Sequence, residues 1–210
     1  MKTIKKASKK VSNKSPNKAS GQASSTALKA IASFIVAEAK RLGATDCDVS
    51  IRASNSVDTT IRLGVVEQLE GAQSRSIDFR AFIAQKDAQE NGQKSASQST
   101  SDFRRPALTK MVKATIAMAM ACEEDPCAGL PENRYLAQSH NVPDLGLFDR
   151  SLASLTAEEK IQLALDTEAA ARNYDERITN SEGASFSDSN GITVYANSRE
   201  FLESYQGSQA

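Results

Sequence analysis

The sequence predicts an α+β fold in which a helix packs on an antiparallel β-meander, followed by further helices and a β-hairpin, in two layers. Three observations predict it. Apolar residues Leu28, Ile31, Ile35, Ala39 and Leu42 recur at the 3-4 spacing of one helix face. From Asp46 the period changes to two, with Cys47, Val49 and Ile51 alternating with Asp48, Ser50 and Arg52. Asn-Gly pairs at 91–92 and 190–191 sit between such runs, and Asn-Gly supplies the positive φ that tight hairpin turns demand.

The elements follow in order. Ser25 or Thr26 can cap the first helix, and Gly43 stops it. After the strand at Asp46 come Val57, Thr59 and Ile61, then a turn at Gly64 into Val65 to Glu70. A further strand runs from Ile77 to Ala84, and Asn91-Gly92 leads into Lys94 to Thr100. A second helix is expected from Ser101 or Asp102, with Pro106 tolerated in its first turn. Its buried stripe is Leu108, Met111, Val112, Thr115, Ile116, Ala119 and Cys122, with the methionines at 111, 118 and 120 as core filler. Asp125-Pro126 ends it and opens a loop rich in Gly and Pro. Thr156 and Glu159 form a capping box for a third helix ending near Tyr174, whose inner face is expected to be Ile161, Leu165 and Ala169. Residues 177 to 205 read as two extended segments joined at Asn190-Gly191, with a third run at Phe201 to Tyr205 as an uncovered edge.

Composition bounds the function. A chain of 210 residues with 40% hydrophobic residues can fill a core. The formal charge of zero hides an asymmetry. Residues 1–25 hold seven lysines and no acid, and read as a disordered arm. The remaining 19 basic residues face all 26 acidic ones, a balance of about −7. That charge makes the body a poor nucleic-acid surface. No apolar run approaches the roughly 18 residues of a membrane span. Three cysteines, odd in number and without a CxxC, point to reduced thiols and a cytoplasmic setting.

No catalytic set assembles from these residues. The single histidine, His140, cannot form a two-histidine zinc helix, and a nucleophile pair with Cys122 or Cys127 lacks an orienting third group. Gly43 and Gly64 are isolated, so there is no phosphate loop. The carboxylate pairs Asp46 with Asp48 and Glu67 with Glu70 read as solvated positions. Ser181, Ser185, Ser187, Asp188 and Ser189 leave one face hydroxylic, which suits a groove wall or a solvated face better than a deep core.

Several segments carry a resemblance to a known family. They are Asp125-Pro126-Cys127-Ala128-Gly129-Leu130-Pro131, Pro143 to Asp149 (PDLGLFD), Thr156-Ala157-Glu158-Glu159, Arg177 to Phe186 (RITNSEGASF) and Val194 to Ser198 (VYANS). Arg62 to Glu67 and the serine-rich stretch Ser95 to Phe103 add to them. In order and spacing, over about residues 27 to 208, the chain resembles the TldD/PmbA family, and within it the PmbA (TldE) branch once called modulators of DNA gyrase. The Lys-rich arm lies outside the pattern, and Asp78 and Arg80 stand where glycines are usual.

The resemblance implies a cytoplasmic metallopeptidase assembly acting on unfolded peptides, among them a peptide-antibiotic precursor and an antitoxin. A TldD-type subunit would carry the zinc on an HExxxH helix, and a PmbA-type subunit would pair with it without zinc ligands of its own. On this reading residues 26–121 are an N-terminal domain and 122–210 an incomplete middle domain, truncated before the family's C-terminal domain. The chain then holds no catalytic, cofactor or metal residue, and zinc belongs to the TldD-type partner. Ser181, Ser185 and Asn190 would offer hydrogen bonds to an extended peptide. The alternative is a stand-alone peptide-binding or assembly module that docks on a TldD-type partner. Neither reading involves nucleic acid or a membrane.

Overall fold

The computed structural model describes residues 24–84, 92–139 and 142–210. The Lys-rich arm up to residue 23, Asn91 and His140 therefore lie outside the described residues.

Ser24 caps helix α1 (Ser25–Arg41), its hydroxyl accepting from the Ala27 N–H at 3.2 Å. The cap falls one residue before the expected Ser25. Gly43 ends the helix at φ 96°, a left-handed position that suits glycine. The alternating run then forms β1 (Asp46–Arg62), one continuous strand where two short ones were expected. Strand β2 (Val65–Ala84) returns antiparallel along its full length, and β3 (Gln93–Thr100) pairs with the distal half of β2.

Helix α2 (Arg105–Ala121) starts three residues later than expected. Ahead of it, Asp102 accepts from the N–H of Arg104 at 3.0 Å, and Pro106 lies in the first turn. Leu108, Met111, Val112, Thr115, Ile116 and Ala119 are buried as the spacing implied. Cys122 is exposed, because the helix ends at Ala121 and the residue belongs to the departing loop. Met118 and Met120 are exposed too and fill no core; only Met111 lies on the inner stripe.

A long loop that includes a 3₁₀ turn (Asn133–Tyr135) leads to the short helix α3 (Arg150–Ser154) and then α4 (Ala157–Arg172). The capping box of α4 is complete, with Glu159 N–H to Thr156 Oγ1 at 3.2 Å and Thr156 N–H to Glu159 Oε2 at 2.7 Å. Its buried face is Lys160, Ala164 and Glu168, one position behind the expected Ile161, Leu165 and Ala169. Ionic contacts, rather than an apolar stripe, set the rotation of this helix on the sheet.

The stretch from Ala184 to Asn197 is a single strand, β4, and not a hairpin. Asn190-Gly191 sits in its middle, paired with Asn55-Ser54 of β1 and Ser208-Gly207 of the last strand, β5 (Leu202–Gln209). Gly191 serves close strand approach: a Cβ there would lie 2.9 Å from the Ala53 carbonyl oxygen and 3.0 Å from the Ser54 Cβ. The sheet order is β3-β2-β1-β4-β5, antiparallel throughout, so the meander is extended on its β1 side by the two last strands.

Helices α1 and α2 cover one face at one end of this sheet. Leu28, Ala32, Ile35, Leu108 and Val112 meet Cys47, Val49, Ile51, Ile77, Phe79, Ile192 and Val194 there in one apolar core.

The tight turn sits at Leu63-Gly64 instead, where φ values of 50° and 75° make both central residues left-handed. Leucine is costly in that conformation. Leu63→Asn, which restores the preferred Asn-Gly pair, is expected to raise stability by about 1 kcal/mol, measured by urea unfolding.

Candidate functional site

The far face of the sheet is polar and carries the hydroxyls. Strand register places Ser95, Ser97 and Ser99 of β3 beside Asp78 and Arg80 of β2. Asp48, Ser50, Arg52, Ser54 and Ser56 of β1 continue the face, and β4 adds Ser185, Ser187, Ser189 and Tyr195. Every one of these serines is at least partly exposed. Alternation explains the arrangement, since the odd positions of β1 face the helices and the even positions the other side; Asp46 and Asp48, expected to be solvated, are nonetheless buried.

Ion pairs knit the face across strands. Arg80 Nη2 donates to Asp48 Oδ2 at 2.5 Å, and the Tyr195 hydroxyl donates to the same oxygen at 3.2 Å. Arg52 Nη1 donates to Asp78 Oδ2 at 2.8 Å, and Ser99 Oγ to Asp78 Oδ1 at 2.6 Å. Asp78 and Arg80, where the family pattern has glycines, thus link β3, β2, β1 and β4. Burial raises Tyr195 to about 12, aided by the neighbouring Asp48 charge, and the Asp48 hydrogen bond raises Arg80. Both groups keep their protons at neutral pH and stand on the face as a donor and a fixed charge.

Behind the sheet, under α4, lies a buried ionic cluster. Lys160 Nζ is 2.7 Å from Asp188 Oδ1, with side-chain exposures of only 8% and 3%. The contact is close but poorly aligned for a hydrogen bond, so it acts as a charge contact. Glu168 accepts from the N–H groups of Leu63 at 2.6 Å and Gly64 at 2.7 Å, holding the left-handed turn at the tip of the β1–β2 hairpin. Burial pushes the Glu168 carboxyl up. The Gly64 and Leu63 N–H groups, Ser181 and Arg172 together outweigh it and leave the carboxyl below the ordinary 4.5.

A depressed folded value means that the contribution of Glu168 is complete above about 4.5 and is lost as pH falls through the folded value. The acid limb of a pH–stability profile is therefore expected to be less steep in Glu168→Gln than in the parent, measured by thermal unfolding from pH 7 downward.

The three residues expected to contact a peptide do not share one surface. Ser185 is on the open face, its hydroxyl 3.0 Å from that of Thr60. Ser181 precedes β4, where its Oγ accepts from the Gly183 N–H at 2.8 Å and its carbonyl accepts from Arg62 Nε at 3.2 Å. Asn190 points to the helix side of the sheet, level with Asn55, and strands flank it on both sides. Alternation separates Ser185 from Asn190 by an odd number of positions and so places them on opposite faces. The residues missed by the sequence are Asp48, Arg80, Tyr195, Lys160 and Glu168. Only strand register brings the first three together.

Nucleophilic chemistry finds no support here. Burial and the charge of Asp48 raise the Cys47 thiol to about 12, so it stays protonated. Cys122 and Cys127 are exposed in the loop. Among the described residues no three His, Cys, Asp or Glu side chains converge as a metal site, and the residues present do not fit zinc. No helix among them is long and apolar enough to cross a membrane.

A helix-backed antiparallel sheet of this order defines the class of protein. The fold matches that of TldE from Thermococcus kodakarensis, with a TM-score of 0.67 at 12% identity, over 85% of this chain and 37% of that one. It also matches a Bacteroides thetaiotaomicron protein named as a candidate modulator of DNA gyrase, with a TM-score of 0.70 at 20% identity, over 86% of this chain and 38% of that one. Residues 150–210 match the family model described as the PmbA/TldA metallopeptidase central domain. The Metalloprotease PmbA homolog of Haemophilus influenzae is 32% identical over 182 residues, covering 87% of this chain and 38% of that protein. Metalloprotease PmbA of Escherichia coli O157:H7 is 30% identical, over 75% of this chain and 32% of its own length. The chain belongs to the PmbA/TldD family and spans 32% to 38% of the length of these relatives.

Proposed function

We propose that this chain is the N-terminal and central portion of a PmbA/TldE-type subunit of a cytoplasmic metalloprotease assembly that acts on unfolded peptides. Its part is to form wall and docking surface, while a TldD-type partner carries the zinc. The observation that carries this reading is the open, hydroxylic sheet face, cross-linked by Asp48–Arg80 and Arg52–Asp78 and lacking any metal cluster among the described residues. Such a face presents many hydrogen-bonding groups, which suits peptides without a fixed sequence. Ser185 belongs to it; Ser181 and Asn190 would contact a peptide only from other sides of the sheet.

The test is a pair of measurements on the purified chain. With zinc supplied, it is expected to leave an unfolded fluorogenic peptide intact, and it should co-elute with a TldD-type subunit on size exclusion. Zinc-dependent cleavage by the chain alone, surviving repurification, would overturn the reading, as would failure to associate with that subunit.

A further inference from the structure

A second site lies at the outer edge of the sheet, and it does not rest on the function proposed above. The loop after the 3₁₀ turn runs alongside β5 and binds its edge at two points. Ser139 Oγ accepts from the Leu202 N–H at 3.0 Å, and the Leu147 carbonyl accepts from the Ser208 N–H at 2.9 Å. The edge expected to be bare is thus partly engaged. Backbone groups of an antiparallel strand alternate in direction, so the N–H groups of Ser204 and Gln206, between those two points, also face outward. Neither N–H has a hydrogen-bond partner among the described residues.

Residues 142–147 of the loop and β5 line a cleft of about 860 Å³ to which both residues contribute. That volume is within the range of small-ligand sites. Val142, Leu145 and Tyr205 line it with exposed apolar surface, respectively 43%, 60% and 52% exposed. Arg150 lines the cleft too, is exposed, and has no ion pair among the described residues. Two carboxylates also line it: Glu203 is paired with Lys29 Nζ at 2.7 Å, and Asp144 accepts from the Gly146 N–H at 3.0 Å.

We infer that this cleft binds an extended peptide segment that adds to β5 as a short extra strand, with an apolar side chain against Leu145 and Tyr205 and a carboxylate on Arg150. Unclaimed, regularly spaced backbone donors on an edge select an extended backbone. The apolar lining selects alternate aliphatic side chains, and the Arg150 guanidinium, without an ion pair among the described residues, selects an acidic one.

The probe is a fluorescein-labelled hexapeptide of alternating valine and threonine with a terminal glutamate, titrated into the full chain by anisotropy. Saturable binding is expected. Arg150→Glu should weaken it about tenfold or more, equivalent to about 1.4 kcal/mol. Gln206→Pro removes one outward N–H at a position where an edge strand tolerates proline, and should abolish binding. Circular dichroism checks that this variant is folded. A peptide N-methylated at alternate amides leaves the protein untouched and should fail to bind, so the test survives a folding defect in the variant. No saturation at millimolar protein, or equal affinity for the N-methylated peptide, would overturn the inference. Neither result bears on zinc-dependent cleavage or on association with a TldD-type subunit.

Discussion

Gly183→Ala is expected to destabilise the folded chain by about 3 kcal/mol or more, enough to leave a marginal domain largely unfolded. Two effects combine at this position. Gly183 has φ 105°, a conformation that L side chains rarely adopt. A Cβ there would also lie 2.4 Å from the Ile61 carbonyl oxygen, so either β1 or the entry to β4 must shift. Gly43→Ala is the matched control. Its φ is 96°, but nothing lies within 4 Å of the added carbon, so only the conformational cost of about 1 kcal/mol remains. Urea unfolding of both variants separates the two effects. Equal losses would show that the close approach to Ile61 contributes nothing.

Asp188→Ala is expected to cost about 3–5 kcal/mol, because it leaves the Lys160 ammonium buried under α4 without its counter-charge. Helix α4 depends on that pair more than an ordinary amphipathic helix would. Ala164 is its only buried apolar residue, set between Lys160 and Glu168. Replacing both partners in Lys160→Met with Asp188→Leu should recover most of the loss, since two apolar side chains need no counter-charge. A double-mutant cycle by thermal or urea unfolding reads the difference. A loss in Asp188→Ala below about 1 kcal/mol would show that Lys160 reaches water and that the pair does not hold α4.

These positions also show what kind of information the sequence carries. Helix α4 was legible in its start, because the Thr156–Glu159 capping box is a local pattern of side-chain and backbone groups. Its rotation was not, because Lys160 and Glu168 look like solvated residues until Asp188 and the Leu63-Gly64 turn are brought to them from other parts of the chain. The hairpin signal at Asn190-Gly191 fails for a related reason. Asn190-Gly191 satisfies the turn preference, yet Gly191 is needed where β4 crosses closest to Ala53 and Ser54. Leu63-Gly64 violates that preference, yet turns, because Glu168 binds both of its N–H groups.

The peptide-contact residues met the same limit. Ser185 falls on the open face, and the hydroxylic character of the region is real, but Asp188 and Asn190 point the other way within one strand. A two-segment reading of residues 177–205 cannot place them, since continuity through Asn190-Gly191 fixes which positions share a face.

By itself the sequence determined the α+β class, the apolar stripes of α1 and α2, the alternation of β1, the cap of α4 and the family. All of these are written in local spacing or in short motifs. Only the tertiary structure decided the sheet order, the joining of β4 to β1, the Asp48–Arg80–Tyr195 network and the ionic seat of α4. Each depends on contacts between separate elements, such as Asp48 with Arg80 and Lys160 with Asp188. In such contacts the energy comes from register and desolvation, which no local pattern encodes.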